Sequence, residues 1–322
     1  TRRAVDRAEQ LYHHAIPNQP PRLWEMLLLW LPARVWETVA RRRAAAYRQD
    51  RGAARSLHTP VVSVGNLTAG GTGKTPVVLW LIEQLQGRGI STAVLTRGYR
   101  RAAPEPVTVL EPGAAAPPSL TGDEVQIYLR HARVPLGIAA NRYAAGVEIE
   151  RRFHPDLLIL DDGFQHYQLA RDLDLVLVDV TAPFGRGELL PLGRLREPLS
   201  ALARADVLLL TRCEPGQRWE GLQGELRLHN PGAPILFSRT EPLALVDAST
   251  GEEKPLARLA ARPALAFCAV GNPAAFWRTL ERAAIATAAR IPYPDHHRYS
   301  ASDASVLLAA GRRLNAAALV TT

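Results

Sequence analysis

The chain has 322 residues, 47% hydrophobic and 22% charged, the proportions of an ordinary globular protein and length enough for two domains. Its two cysteines, Cys213 and Cys268, lie far apart without metal-type spacing, which excludes a disulfide framework and a zinc site and points to a reducing compartment. Of a net charge of +8, six units fall in residues 1–58, where eleven Arg and no Lys face five acids, so the excess is a local patch suited to an anionic surface.

Residues 1–58 form the first segment. No secretory signal is visible, because the start is polar and the apolar run comes late. Leu23–Leu31 is apolar but short of the roughly 20 residues a bilayer span needs. Pro32 is expected to interrupt it, and Arg41-Arg42-Arg43 follows. With Trp24, Trp30 and Trp36 in the same stretch, the composition suits a helix lying among anionic lipid headgroups. The competing reading is a helix packed on the protein's own core with Arg facing water.

From residue 59 to 232, short apolar runs alternate with helical segments. Val61–Val64, Thr92–Leu95, Leu157–Leu160, Leu175–Val178 and Val207–Leu210 read as buried strands. Lys74–Gln86, Glu124–Arg133, Arg142–Phe153 and Leu195–Arg204 read as helices between them. The alternation predicts an α/β domain with a doubly wound, mostly parallel sheet. Ala102–Pro118 reads as a flexible surface excursion. Residues 233–263 read as a hinge, and 264–322 as a smaller α/β domain with a strand (Leu265–Val270), two helices (Pro273–Ala284, Ser302–Asn315) and a strand start at Ala318–Val320. The sequence begins without Met and stops within that last apolar run, as a processed or truncated chain would.

The strongest chemical signal is the first of these strands running through Gly70-Gly71-Thr72-Gly73-Lys74-Thr75 into a helix. Glycines let backbone N–H groups curl around phosphates, Lys74 suits the β/γ-phosphates and Thr75 suits Mg²⁺. Thr68 stands where the strict P-loop pattern has a glycine, but Gly70 and Gly71 keep the loop free to turn. Only Lys74 and Lys254 are Lys among 39 basic residues, so a chain that otherwise writes Arg keeps an ammonium at the phosphate position.

Asp161-Asp162-Gly163 closes another buried strand, where an α/β sheet binds ligands and a P-loop enzyme needs a carboxylate for Mg²⁺; the plain reading is a common turn. Asp123, in Gly122-Asp123-Glu124, reads by itself as a helix start with a dipole-favoured acid. Pro294–Tyr299 holds His296 and His297, which suit acid/base or metal work but are more often surface histidines. The cations of Gly185–Pro198 suit a phosphate or a solvated face.

Together the motifs GNLTAGGTGKTP, RGYRR, GDE, NR, DDGFQH, LLPLGRLREP, VGNP and DHHRYS, in that order across residues 55–321, resemble the tetraacyldisaccharide 4′-kinases of lipid A synthesis. The resemblance implies a large P-loop domain hinged to a small one. It implies transfer of the ATP γ-phosphoryl group, with Mg²⁺, to the 4′-hydroxyl of a tetraacylated glucosamine disaccharide 1-phosphate. The place implied is the cytoplasmic face of the inner membrane of Gram-negative bacteria. It assigns phosphate and metal binding to Lys74 and Thr75, further metal organisation to Asp161, Asp162 and Glu197, base catalysis to Asp123 supported by His296, and phosphate contacts to Arg142 and Arg196. His297 is not carried over. The alternative is a P-loop NTPase acting as a switch or metallochaperone, which the loop alone would permit. Nucleic acid is not expected as a partner, since no recognition motif accompanies the basic patch.

Overall fold

The computed structural model describes residues 23–49, 54–99, 101, 106–185, 187–259, 262–294 and 297–322. They fall into two compact units, the larger ending at Ser238 and the smaller spanning Arg239–Thr322.

The larger unit opens with α1 (Leu23–Gln49), which runs on through Pro32. A proline removes one i→i−4 hydrogen bond, and here the remaining bonds carry the helix past it. Trp36 ties α1 down: its indole Nε1–H donates to the Arg196 carbonyl at 3.0 Å. No helix among the described residues is long and apolar enough to cross a membrane.

The remainder is an eight-stranded sheet. Its strands are β1 (Val61–Asn66), β2 (Thr92–Thr96), β3 (Thr108–Leu110), β4 (Leu136–Ile138), β5 (Leu157–Asp161), β6 (Leu173–Asp179), β7 (Val207–Thr211) and β8 (Ile235–Phe237), in spatial order β3-β4-β2-β5-β1-β6-β7-β8. All pairs are parallel except β3 with β4. The helices α2 (Lys74–Gln86), α3 (Asp123–His131), α4 (Arg142–Phe153) and α5 (Glu220–His229) supply the crossovers.

Both faces are covered, which is why the strands read as unbroken apolar runs. Alternate residues separate the two sides: Val94 and Ile159 pack with Val78, Ile82, Val125 and Tyr128, while Ala93, Leu95, Leu158 and Leu160 pack with Ala145 and Ile149.

Three expectations are corrected here. The stretch read as a surface excursion carries β3, whose Thr108–Leu110 pairs antiparallel along β4; three residues are too few to announce a strand. Leu195–Arg204 is not a helix, because Leu195 is held in a bridge to Thr68 and only the 3₁₀ turn Leu199–Arg204 follows Pro198. The segment read as a hinge contributes Ile235–Phe237 to the sheet edge beside β7 before the chain enters the smaller unit.

In the smaller unit, β11 (Ala264–Cys268) lies between β12 (Thr287–Pro292) and β13 (Leu319–Val320), all parallel. A hairpin of β9 (Leu245–Val246) and β10 (Glu253–Lys254) precedes them. α6 (Pro273–Arg282) starts at the Asn272 cap with Pro273 at its first position. α7 (Ala301–Arg313) starts at a capping box between Ser300 and Asp303. Leu259, Ala264, Ala266, Leu280 and Ile285 form the core.

Candidate active site

Parallel pairing places the C-terminal ends of β1, β2, β4, β5, β6 and β7 along one edge of the large sheet, and the glycine loop, Asp161-Asp162 and Asn141-Arg142 follow those ends, whereas Pro294–Tyr299 belongs to the smaller unit. β1 feeds the glycine loop and α2 starts at Lys74, with Gly73 at φ 88° as its cap and no side chain capping it. No acid occupies the first turn, so its N–H groups and positive dipole end are open to an anion. Gly70 has φ 103°, a backbone that favours glycine, and a Cβ there would lie 2.4 Å from Arg194 Nη2 and displace that guanidinium.

Lys74 Nζ donates to Asn66 Oδ1 at 3.0 Å and lies 3.3 Å from Asp162 Oδ1. Asn66 in turn donates through Nδ2 to the Thr68 carbonyl at 2.7 Å, which fixes its oxygen toward the ammonium.

β5 runs beside β1 with Asp161 opposite Val64, so the Asp-Asp pair arrives next to the loop. The two carboxyls are driven apart. Asp161 is buried and its Oδ1 has no hydrogen-bond partner. Burial, then the charges of Glu124 and Asp162, push its pKa up to about 7 against the pull of Lys74. Asp162 is turned the other way by a left-handed backbone, φ 52°, which aspartate tolerates. Arg196 Nη1 reaches its two oxygens at 2.9 and 3.1 Å. Burial works to raise this carboxyl too, but Arg196 and Lys74 outweigh it and hold it well below the usual carboxylate range.

Glu197 lies in a different setting. Its Oε2 accepts from Tyr167 Oη at 2.6 Å and pairs with Arg204 at 3.0 Å, and Arg204 stacks on the rings of Phe164 and Tyr167. Its Oε1 is buried without a partner. Among the described residues no three His, Cys, Asp or Glu side chains come together as a metal group, so Glu197 does not join Asp161 and Asp162 in one.

The GDE motif opens α3 as the sequence suggested. Gly122 has φ 84°, and a Cβ there would meet the Tyr99 carbonyl at 2.3 Å, so Gly98-Tyr99 lies directly against it. Asp123 is the first residue of α3 and half-buried. Its neighbour Glu124, given no role by sequence reasoning, is the acid whose charge bears on Asp161 and on buried Tyr128. Arg142 is buried at the start of α4, with Nη1 donating to the Ala140 carbonyl at 3.1 Å.

Asp295 and His296 lie outside the described residues. In the smaller unit His297 N–H donates to the Pro294 carbonyl at 3.0 Å, and His297 Nε2 lies 3.1 Å from Asp303 Oδ2. Hydrogen bonds from the Ser300 backbone and hydroxyl, with His297 third, hold the Asp303 carboxyl at about 2. His297 also stacks on Tyr293 with ring centres 4.7 Å apart. It is therefore committed to its own loop.

Sequence reasoning placed Arg194 in a cation run suited to phosphate without giving it a role at the loop, and it missed Thr211, Arg212 and Asp179. Each touches the glycine loop, or a residue that does, from more than a hundred positions away, and no local pattern marks the last three.

A family model described as LpxK, tetraacyldisaccharide-1-P 4′-kinase, matches residues 25–322. The tetraacyldisaccharide 4′-kinase of Syntrophobacter fumaroxidans is 39% identical over 277 residues, covering 85% of this chain and 73% of that protein. The protein of the same name from Geobacter metallireducens is 37% identical over 285 residues, 88% of this chain and 82% of that one. The crystal structure of LpxK from Aquifex aeolicus in complex with ATP is similar with a TM-score of 0.67 at 31% identity, over 84% of this chain and 82% of that one.

Proposed function

With the chain belonging to the tetraacyldisaccharide-1-P 4′-kinase family, we propose how its residues divide the work of phosphoryl transfer. The protein is an ATP-dependent tetraacyldisaccharide 4′-kinase of lipid A biosynthesis, and the reading as a switch or metallochaperone is set aside. Its acceptor is the 4′-hydroxyl of a tetraacylated glucosamine disaccharide 1-phosphate.

The single observation that carries the site reading is the convergence of Lys74, Asp161 and Asp162 at the end of β1 and β5. The loop amides of Gly70–Gly73 and the start of α2 hold the ATP phosphates, and Lys74 neutralises charge on the transferred group. Thr75, Asp161 and Asp162 would hold Mg²⁺, and the unpartnered Asp161 Oδ1 fits a cation that keeps few protein ligands. When bound, Mg²⁺ supplies further neutralisation of phosphate charge. Arg196 keeps Asp162 ionised, and Glu197 stiffens the segment that carries Arg196. Asp123, assisted by His296, takes the proton of the 4′-hydroxyl as its oxygen attacks the γ-phosphorus and ADP leaves. Arg142 meets phosphate of the acceptor.

The acceptor is a lipid, and α1 is the segment that takes the enzyme to it. Leu28, Leu31, Val35 and Val39 are 65, 63, 57 and 50% exposed at helical spacing, with Trp30 and the exposed Arg34, Arg41 and Arg42 beside them. We place this face in the headgroup region of an anionic membrane, at the cytoplasmic side of the inner membrane. Transfer of ³²P from ATP to acceptor in detergent micelles tests the whole account. ATP turnover should depend on the acylated disaccharide phosphate, and equal turnover without it would overturn the proposed roles.

A further inference from the structure

The glycine loop is held from both sides by side chains that make no use of its amides. On one side Arg194 donates through Nε and Nη2 to the Ala69 carbonyl at 3.1 and 2.8 Å, and its own carbonyl accepts from Ala69 N–H at 2.7 Å. On the other, the end of β7 meets the loop: Thr211 Oγ1 donates to the Thr72 carbonyl at 2.9 Å, and Arg212 Nη2 donates to the Gly71 carbonyl at 2.8 Å. Arg212 is itself aimed by Asp179 at the end of β6, which pairs with its Nη1. Asp179 is buried, with its other oxygen accepting from Thr181 N–H and Oγ1 at 3.0 and 2.7 Å.

A trans peptide holds its C=O and the following N–H on opposite sides. Pinning the carbonyls of Ala69, Gly71 and Thr72 outward therefore turns the N–H groups of Gly70, Thr72 and Gly73 the opposite way. Glycine-rich backbone would otherwise sample many arrangements, and ordering it would weaken every nucleotide that bound.

We propose that Arg212, aimed by Asp179, and Arg194 are positioning residues that hold the phosphate loop in its anion-binding arrangement before ATP arrives. Their guanidinium groups act on the loop's carbonyls. The inference rests on the loop being the ATP site and adds to that reading the residues that preorganise it.

The test measures ATP affinity by calorimetry with Mg²⁺ and a non-hydrolysable ATP analogue, and kcat and KM by transfer to the lipid acceptor. Arg212→Ala should weaken analogue binding and raise KM for ATP roughly ten- to hundredfold, as expected for lost hydrogen bonds from a charged donor, with kcat at saturating ATP changed less than about threefold. Arg212→Lys should fall with Arg212→Ala, because one ammonium cannot serve both Asp179 and Gly71. Asp179→Asn should show the same KM effect, and the double variant should be little worse than either single one. KM for the lipid acceptor should not move. Full activity of Arg212→Lys would mean that only a positive charge near the phosphates matters and would overturn the brace. Unchanged ATP affinity in Asp179→Asn would do the same. Lys74→Ala, measured alongside, separates this from the underlying site: undiminished analogue binding there removes the loop assignment itself, whereas weakened binding there with normal Arg212 and Asp179 variants removes the brace alone.

Discussion

At the C-terminal edge of the large sheet, charged side chains are wholly or largely withdrawn from water; on α1, apolar side chains stand in solvent. Each inverts the usual distribution of residues. Burial at the sheet edge outweighs the pull of Lys74 on Asp161, whereas at Asp162 Arg196 and Lys74 together outweigh it. Leu28, Leu31 and Val35 lose the burial that would stabilise them. The contrast teaches what each region lacks. The sheet edge gathers charges, which we propose serve phosphates and a cation, and α1 carries an apolar stripe with cations beside it, which we propose serves lipid.

The largest expected effect is at the sheet edge. Lys74→Ala should abolish transfer, since phosphoryl transfer depends on positioning and charge neutralisation rather than covalent chemistry. Near-normal turnover in the purified variant would break the comparison at its stronger side.

Next come Asp123→Ala and His296→Ala, each expected to lower kcat by about 10²–10⁴-fold while analogue binding persists. Acting as one base, they should give a double variant little worse than the worse single one. His297→Ala serves as the control, because that ring already serves Asp303 and should leave transfer mostly intact. Multiplicative losses, or a collapse at His297, would show that the wrong residues are paired.

On α1, replacing Leu28, Leu31, Val35 and Val39 together with Ser should weaken binding to phosphatidylglycerol vesicles about ten- to hundredfold, with ATP affinity in solution unchanged. Co-sedimentation that ignores these changes, or ignores salt, would return α1 to a purely structural helix.

The smallest effect sharpens the electrostatics. Asp161 titrates at about 7, chiefly through burial, so between the ordinary aspartate range and that value the folded chain binds a proton the unfolded chain has released. Without Mg²⁺, this contribution to stability is complete at low pH and is lost as pH rises through about 7. Mg²⁺ requires the ionised carboxylate, so its affinity should climb with pH, by up to about tenfold per unit, and level off above about pH 7. Mg²⁺ titrations from about pH 5.5 to 8.5 check this, and Asp161→Asn should flatten the slope. An unchanged slope in that variant would assign the titration elsewhere.

The sequence by itself determined what neighbouring residues can carry. Strand, glycine loop and helix follow one another within residues 61–86, so their periodicity and the Lys74 exception marked the candidate phosphate loop. The same held for Asp161–Gly163 at the end of a buried run and for Gly122–Glu124 at a helix start. The short strands β3 and β8 stayed illegible, because three residues take their extended form from the neighbour they pair with. Only the tertiary structure decided which groups act on one another. Arg194 and Arg212 reach the loop from 125 and 141 residues away, Arg212 as an ordinary Arg in an Arg-rich chain and Arg194 in a motif that does not say what it touches. It also separated two adjacent aspartates, raising Asp161 and lowering Asp162. Burial and charge act through space, and a left-handed turn at Asp162 sends two consecutive side chains into opposite fields.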